Sequence, residues 1–340
     1  MFLLHAAGGS DIGVGHLSRC RSLALELLRQ GIGPVELLFE ASADLAARFA
    51  LEGANLSVAA SRVEALRARG HLLSAHDASV PVLITDLLRL GAEDGLAARR
   101  QGFQFLAHLN DSATPNYGAD VVIDGDAFKA AAPTGQDPTR YLCGAAYHIV
   151  APAVVARRPT KPWQGAGVRA VLICFGGADP AKQTELFVRE VRGRPSPFKF
   201  TVVAGPGFST ERFEALRVLA GPDIILARAP AGLAELILAH DAVVTMGGLT
   251  SYEAMCLGRA VFAVAWFHLA HYVERLEAAG LLQNLGLGEP AVARLYESLT
   301  HTPEVRRLAE AGWQAIDGKG VERAVTCIRE RVEAKRVPGG

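Results

Sequence analysis

Apolar residues along this chain fall into two alternating patterns. Short unbroken runs are followed by longer stretches in which apolar positions recur every three or four residues. The first pattern suits strands buried on both faces of a parallel sheet, and the second suits helices laid across that sheet. Phe2 to Ala7 is the first run, and Leu17, Leu23, Leu27 and Leu28 follow at helical spacing. The alternation continues with a strand at Val35 to Phe39, a helix from Ala43 to Glu52, a weak strand near Leu56 to Val58 and a helix around Val63 to Arg69. PVLITDLL reads as a buried strand ending in Asp86, QFLAHLNDS as another ending in Asn110 and Asp111, and ADVVIDGDAF as a shorter one. YLCGAAYHIVAP closes the first half.

The segment Val155 to Gly167, VARRPTKPWQGAG, has two prolines, several charges and no periodicity, so it is predicted to be a linker. The same grammar then restarts. RAVLICFGGADPAKQT reads as strand, Gly-Gly turn and helix, with Asp179 as N-cap and Pro180 at the first helical position. FKFTVVAGPG, DIILAR, AVVTMGG and AVFAVAW are further strands, and PAGLAELILAHD is a helix. The tail reads as helical: HYVERLEAAG, AVARLYESL, Pro303 to Ile316 capped by Thr302, and Val321 to Lys335. The expected architecture is α/β, with two doubly wound, Rossmann-like domains facing each other across a cleft. The boundaries expected are 1–154, a linker at 155–167, and 168–340, with the last helix free to pack back on the first domain.

Composition narrows the function classes. The chain has 340 residues, half of them apolar and 21% charged, which suits two folded domains. Lys+Arg and Asp+Glu both number 35, and no basic run is interleaved with aromatics, so a nucleic-acid partner is not expected. No apolar stretch reaches the roughly 18 residues of a membrane span, and the N-terminus reads directly as strand and turn rather than as a signal peptide. The five cysteines, Cys20, Cys143, Cys174, Cys256 and Cys327, are scattered without metal-ligand spacing and read as buried thiols of a cytoplasmic protein.

Candidate chemistry concentrates at strand ends. In VVTMGGLTSYEAMCLG a buried run ends at Gly247-Gly248, and a helix opens with Leu249, Thr250, Ser251 and Glu253. Such a corner lets backbone approach a ligand, and the helix behind it offers N–H groups and a positive dipole end, which together make an anion seat. Glu253, one turn in, is poorly placed for phosphate and well placed to accept hydrogen bonds from a sugar diol. A nucleoside diphosphate carries both groups; the alternative is an ordinary strand-to-helix turn with a solvated acid. Gly176-Gly177 and Gly205 repeat the glycine-ended strand.

The first strand runs into GGSDIGVGHLSRC, which is neither a dinucleotide fingerprint nor a Walker loop. Gly13 and Gly15 let this loop close on a ligand, and His16 sits in the first helical turn, where the helix dipole favours a neutral, basic ring. Asp11 is placed to orient that ring, and Arg19 to meet a phosphate; the alternatives are a packing or capping histidine and a surface arginine. Asp86, Asn110 and Asp111 stand at strand ends where α/β folds bind ligands.

Four motifs, GVGHLSRCRSLALEL, ICFGGADPAKQT, VVTMGGLTSYEAMCLG and IDGKGVERAV, in this order and spacing, resemble the nucleotide-sugar hydrolases of pseudaminic acid synthesis, with spore-coat polysaccharide proteins as relatives. The resemblance covers nearly the whole chain and implies a GT-B fold. It implies hydrolysis of UDP-2,4-diacetamido-2,4,6-trideoxy-β-L-altropyranose to UDP and the free sugar, as in the route to flagellin glycosylation, with His16 helping to activate water. It assigns the phosphate turns to Gly176-Gly177 and Gly247-Gly248 with Thr250 and Ser251, and the ribose contact to Glu253. It implies no metal or other cofactor, and a UDP-sugar as the partner of a monomer or weak oligomer. Two positions depart from the family: Leu88 stands where a tyrosine is usual, and His268-Leu269 replaces an Asn-Gln pair. A glycosyltransferase with the same fold, or a silent nucleotide-sugar binding protein, therefore remains as an alternative.

Overall fold

Parallel strands buried on both faces need a helix in each crossover, and the chain supplies one after nearly every strand. The computed structural model describes residues 1–9, 12–76, 80–109, 118–129, 135, 141–179, 181–192, 194–230, 232–266 and 269–336. The chain divides into two compact units, one of residues 1–151 and 319–340, the other of residues 152–318.

The first unit contains β1 (Phe2–Ala7), α1 (Gly15–Arg29), β2 (Val35–Glu40), α2 (Ala43–Ala47), β3 (Ala54–Ala59), α3 (Arg62–Ser74), β4 (Val82–Asp86), α4 (Ala92–Gln101), β5 (Phe105–Leu109), β6 (Val121–Asp124) and β7 (Tyr141–Cys143). These strands form one parallel sheet in the order β3-β2-β1-β4-β5-β6-β7. Along β1, Phe2, Leu4 and Ala6 join Leu17, Leu23 and Leu27 in one core, while Met1 and Leu3 join Leu83, Phe103 and Leu106 in another. Both faces of the sheet are thus covered, which is why its strands read as unbroken apolar runs.

The second unit opens with α5 (Pro152–Val155) and continues through β8 (Ala170–Ile173), α6 (Gln183–Arg192), β9 (Lys199–Ala204), α7 (Thr210–Ala220), β10 (Ile224–Arg228), α8 (Leu233–Ala239) and β11 (Ala242–Thr245). It ends with α9 (Leu249–Cys256), β12 (Ala260–Val264), α10 (Ala270–Ala278), β13 (Gln283–Gly286), α11 (Glu289–Thr300) and α12 (Thr302–Ala315). Its parallel sheet runs β10-β9-β8-β11-β12-β13. The last helix, α13 (Gly320–Arg336), returns to the first unit, where Val321, Ala324, Val325, Ile328 and Val332 complete the core on the α1 side.

Several local expectations are revised. The segment expected as a linker is built into the second unit. Trp163 is buried and donates Nε1–H to Asp241 at 2.8 Å, and the Arg158 guanidinium donates to the carbonyls of Cys256, Trp313 and Ile316 at 2.6, 2.6 and 2.8 Å. An arginine fork spent on three helix-end carbonyls anchors the backbone around it. Residues 43–47 alone are helical where a helix to Glu52 was expected. α4 had no visible period because its buried residues are Gly95 and Ala98, while Leu96 faces outward. β13, QNLG, is a short polar-edged strand without an apolar run. Thr302 is the first residue of α12 rather than its cap, and His301 precedes it. Cys143 and Cys327 are half-buried, whereas Cys20, Cys174 and Cys256 are buried as expected.

Because Ile328 of α13 has no exposed surface in the first unit's core, Ile328→Ala is expected to cost about 2–5 kcal/mol. Calorimetric unfolding should show a lowered midpoint for the transition that contains the first unit; an unchanged trace would mean that α13 does not complete that core.

Candidate functional sites

In each sheet the chain builds outward from a central strand and then returns to lay its next strand on the other side of that centre. The reversal falls between β1 and β4 in the first unit and between β8 and β11 in the second. At such a switch point the following connections diverge to opposite faces, and the carboxyl ends of the two central strands frame a crevice. The segments singled out by sequence lie at these two places.

In the first unit, α1 follows β1 and carries His16 in its first turn, and β4 ends at Asp86. His16 Nδ1 lies 2.6 Å from Asp86 Oδ1, while Arg19 donates Nε to Oδ2 and Nη2 to Oδ1, both at 2.8 Å. Asp86 is only 1% exposed. Burial alone would raise its pKa, but the charges and hydrogen bonds of Arg19 and His16 overcome it and hold the carboxyl well below the usual carboxylate range. Asp86 is therefore an ionised, acceptor-only group, and the nitrogen facing it must carry a proton. This fixes the neutral ring as the Nδ1–H tautomer, with Nε2 as its basic nitrogen. Arg19 Nη2 also lies 2.9 Å from Nδ1, but a guanidinium offers only donors, so its bond is to Asp86.

This geometry bears on two expected roles. The ring is oriented by Asp86, 70 positions away, whereas Asp11 lies outside the described residues. Arg19, expected at a phosphate, is engaged with Asp86. His16 is not a cap: Val14 holds that position, and no side chain caps α1. Gly15 is the first residue of α1, and Gly13, with φ 76°, lies in the preceding turn. Asn110 and Asp111 also fall outside the described residues. Leu88 is 39% exposed, two residues beyond Asp86.

One group went unnoticed in the sequence. Asp124 ends β6 and accepts from Lys129 Nζ at 2.5 Å, beside a cavity of about 20 Å³ lined in part by Arg19, Asp126 and His148. That volume suits a single water. The strand-end position of Asp124 was the available signal, the same one that marked Asp86.

In the second unit both Gly-Gly corners sit at carboxyl ends of neighbouring central strands. Gly176 has φ 92° and Gly247 φ 83°. A Cβ at Gly247 would also lie 2.6 Å from Val273 Cγ2, so no larger residue fits that corner. Gly205, at the end of β9, is required by contact: a Cβ there would stand 2.3 Å from Gly177 O. Gly248 occupies the N-cap of α9 without a side-chain cap, and the N–H groups of Leu249 and Thr250 find no acceptor among the described residues.

The hydroxyls behind this corner divide the work. Ser251, expected at the phosphate, is fully buried, and its Oγ is 2.7 Å from Thr245 Oγ1, so it braces the turn from inside. Burial pushes the Cys174 thiol, just past the end of β8, up to about 11, against opposing contributions from the Gly176 backbone and the Thr250 side chain. Glu253 is half-buried, its carboxylate has no ion pair or hydrogen bond among the described residues, and desolvation pushes its pKa up to about 7. Asp179 does not cap α6 from the N-cap position, since the helix starts at Gln183. Its carboxylate nevertheless accepts from the N–H groups of Gln183 and Thr184 at 3.0 and 2.8 Å. Pro180 and His268 lie outside the described residues. Among the described residues no group of His, Cys, Asp and Glu is arranged to hold a metal, and no helix is long and apolar enough to cross a membrane.

No protein-family model matches the chain. It is 24% identical over 265 residues to an uncharacterized protein of Methanocaldococcus jannaschii, MJ1062, covering 74% of this chain and 52% of that protein. It is 25% identical over 206 residues to the spore coat polysaccharide biosynthesis protein SpsG of Bacillus subtilis, covering 58% of this chain and 60% of the relative. The chain thus spans only about half to three-fifths of the length of these curated relatives. Among solved structures it matches MurG of Acinetobacter baumannii with a TM-score of 0.66 at 15% identity, covering 97% of this chain and 99% of that one. It matches the UDP-GlcNAc 2-epimerase of Neisseria meningitidis, solved with UDP-GlcNAc bound, with a TM-score of 0.65 at 11% identity, covering 97% and 100%. The likeness to these structures is one of fold, and the fold class is the one expected: two parallel-sheet, Rossmann-like units of the GT-B type.

Proposed function

We propose that this protein is a nucleotide-sugar hydrolase, releasing UDP and a free diacetamido-trideoxy-hexose from UDP-2,4-diacetamido-2,4,6-trideoxy-β-L-altropyranose. The observation that carries the catalytic half is the His16–Asp86 contact of 2.6 Å at the switch point of the first unit. A ring fixed as the Nδ1–H tautomer presents Nε2 as a base; it takes a proton from water as the water oxygen attacks the anomeric carbon, and the bond to the UDP oxygen breaks. Ionised Asp86 stabilises the imidazolium that forms, and Arg19 keeps Asp86 ionised. The nucleotide is assigned to the second unit, with phosphates on the Gly176-Gly177 and Gly247-Gly248 corners and the ribose diol on Glu253. The diphosphate leaves against backbone N–H groups and the α9 dipole, so this scheme asks for no metal. Support comes from the same fold in an epimerase that holds UDP-GlcNAc and from the relative in spore coat polysaccharide synthesis.

A second reading is glycosyl transfer, with the proton taken from an acceptor hydroxyl. The exposed, apolar Leu88 close to Asp86 favours it, because that side chain offers water no hydrogen bond. MurG shares the fold. Incubation with the UDP-sugar alone separates the two: hydrolysis releases UDP and free sugar without acceptor, and His16→Ala should lower the rate at least about 10²-fold, the scale of a general base. Asp86→Asn should do likewise by freeing the wrong tautomer. No UDP release until an acceptor is added would exclude the hydrolase.

Glu253 adds a pH signature. A diol donating to the carboxylate favours its ionised form, so binding lowers a pKa that stands near 7 in the empty protein. Affinity for UDP-GlcNAc, whose diester phosphates do not titrate in this range, should rise about tenfold from pH 6 to pH 8 by proton linkage. In the empty protein the sign is opposite for stability. The raised pKa makes the fold bind more protons than the unfolded chain, so stability falls as pH climbs from the ordinary carboxylate value through about 7. Calorimetric titration of Glu253→Gln should give a flat affinity profile; an unaltered slope would remove Glu253 from the ribose.

A further inference from the structure

The turn after β8 is held from behind by one guanidinium. Arg212, the third residue of α7, donates Nη1 to Ala178 O at 2.7 Å and Nη2 to Asp179 Oδ2 at 3.1 Å. Its Nε and Nη2 also grip the two Glu185 oxygens at 2.6 and 2.8 Å, and its plane lies 3.7 Å from the Phe208 ring centre. Beside it, Gly207 N–H donates to Gly177 O at 2.8 Å, and a Cβ at Gly205 would lie 2.7 Å from Gly176 O. Three successive carbonyls, those of Gly176, Gly177 and Ala178, therefore face the segment that joins β9 to α7 and the first turn of α7.

In a trans peptide the N–H points opposite to the C=O of the same unit. The N–H groups of Gly177, Ala178 and Asp179 consequently point together to the other side. Positive φ at Gly176 (92°) and Asp179 (41°) brackets the run with left-handed steps. Among the described residues none of these three N–H groups has an acceptor. Residues 176–178 are partly exposed, while Asp179 behind them is buried. Buried and half-buried donors left without protein acceptors call for a partner from outside.

We infer that Arg212 is the positioning residue of a three-donor anion seat, formed by the N–H groups of Gly177, Ala178 and Asp179, that takes a phosphoryl group of the nucleotide diphosphate. The inference rests on the nucleotide reading above for the identity of the ligand. Two glycines make the turn permissive, so a peptide flip that aimed a carbonyl at the phosphate would meet little backbone resistance. Arg212 opposes that flip by holding Ala178 O and the Asp179 carboxylate at once. That requires a planar fork of donors, which lysine lacks.

The full-length chain, ¹⁵N-labelled, is titrated with UDP, inorganic pyrophosphate and uridine, and Arg212→Lys is compared after its melting point and remaining amide spectrum have been checked. The amide protons of residues 177, 178 and 179 should move downfield with UDP and with pyrophosphate in the wild type. Arg212→Lys should bind both anions about tenfold more weakly, the scale of a lost charge-assisted bond, with uridine affinity unchanged. If the three amides stay still while UDP binds, the seat is overturned and the nucleotide reading stands. If Arg212→Lys binds UDP like the wild type, or loses uridine equally, Arg212 does not position the seat and the inference is overturned. If pyrophosphate moves the amides and UDP does not bind, the seat stands and the nucleotide reading falls. Failure of both anions to bind overturns both.

Discussion

A parallel sheet whose strand order reverses at its centre leaves one place where backbone and side chains of distant segments meet without being covered by a helix. Both units of this chain obey that constraint, and what is chemically distinctive in each sits there. In the first unit the reversal brings the start of α1 to the end of β4, so His16, Arg19 and Asp86 converge across 70 positions of sequence. In the second it sets the Gly176-Gly177 and Gly247-Gly248 corners on neighbouring strands. Without the crossovers that force the reversal, each of these groups would stand apart from the others.

The two carboxylates at these places have opposite environments. Asp86 is enclosed by a guanidinium and an imidazole, and their attraction outweighs the cost of burial, so it stays ionised and acts as a fixed acceptor. Glu253 is desolvated without a cation, so its proton is held until about pH 7. One group is committed to orienting its neighbour; the other keeps unused hydrogen-bonding capacity. Environments this different give the two carboxyls different capacities, each within its own unit. The surrounding shell follows the same logic: Ser251 and Arg212 spend their hydrogen bonds on the turns themselves, and the turns offer backbone N–H groups outward.

The alternation of buried runs and amphipathic stretches was enough to place most strands, the α/β class and the two-unit organisation, because strands covered on both faces must be apolar throughout. Elements without that signature escaped. α4 buries glycine and alanine, and β13 is a polar edge, so neither leaves a period to read. The expected linker carried proline and charge, the usual marks of a loop. Only packing revealed that its Arg158 and Trp163 are spent on partners within the second unit, far along the sequence.

The candidate sites divide in the same way. Gly247, Gly248 and Glu253 were legible because a buried run ending in two glycines before a helix has a local meaning: a backbone corner and free N–H groups. His16 was legible as a residue near a helix start, but its tautomer was not, because that depends on a carboxylate supplied by another strand. The partners of Arg19 and Ser251 were not legible for the same reason, since a side chain's partner is a fact of tertiary distance. Local sequence, through periodicity and backbone preference, determined where strands end and helices begin. Tertiary structure, through strand order, decided which of those ends meet and what charge each buried group can keep.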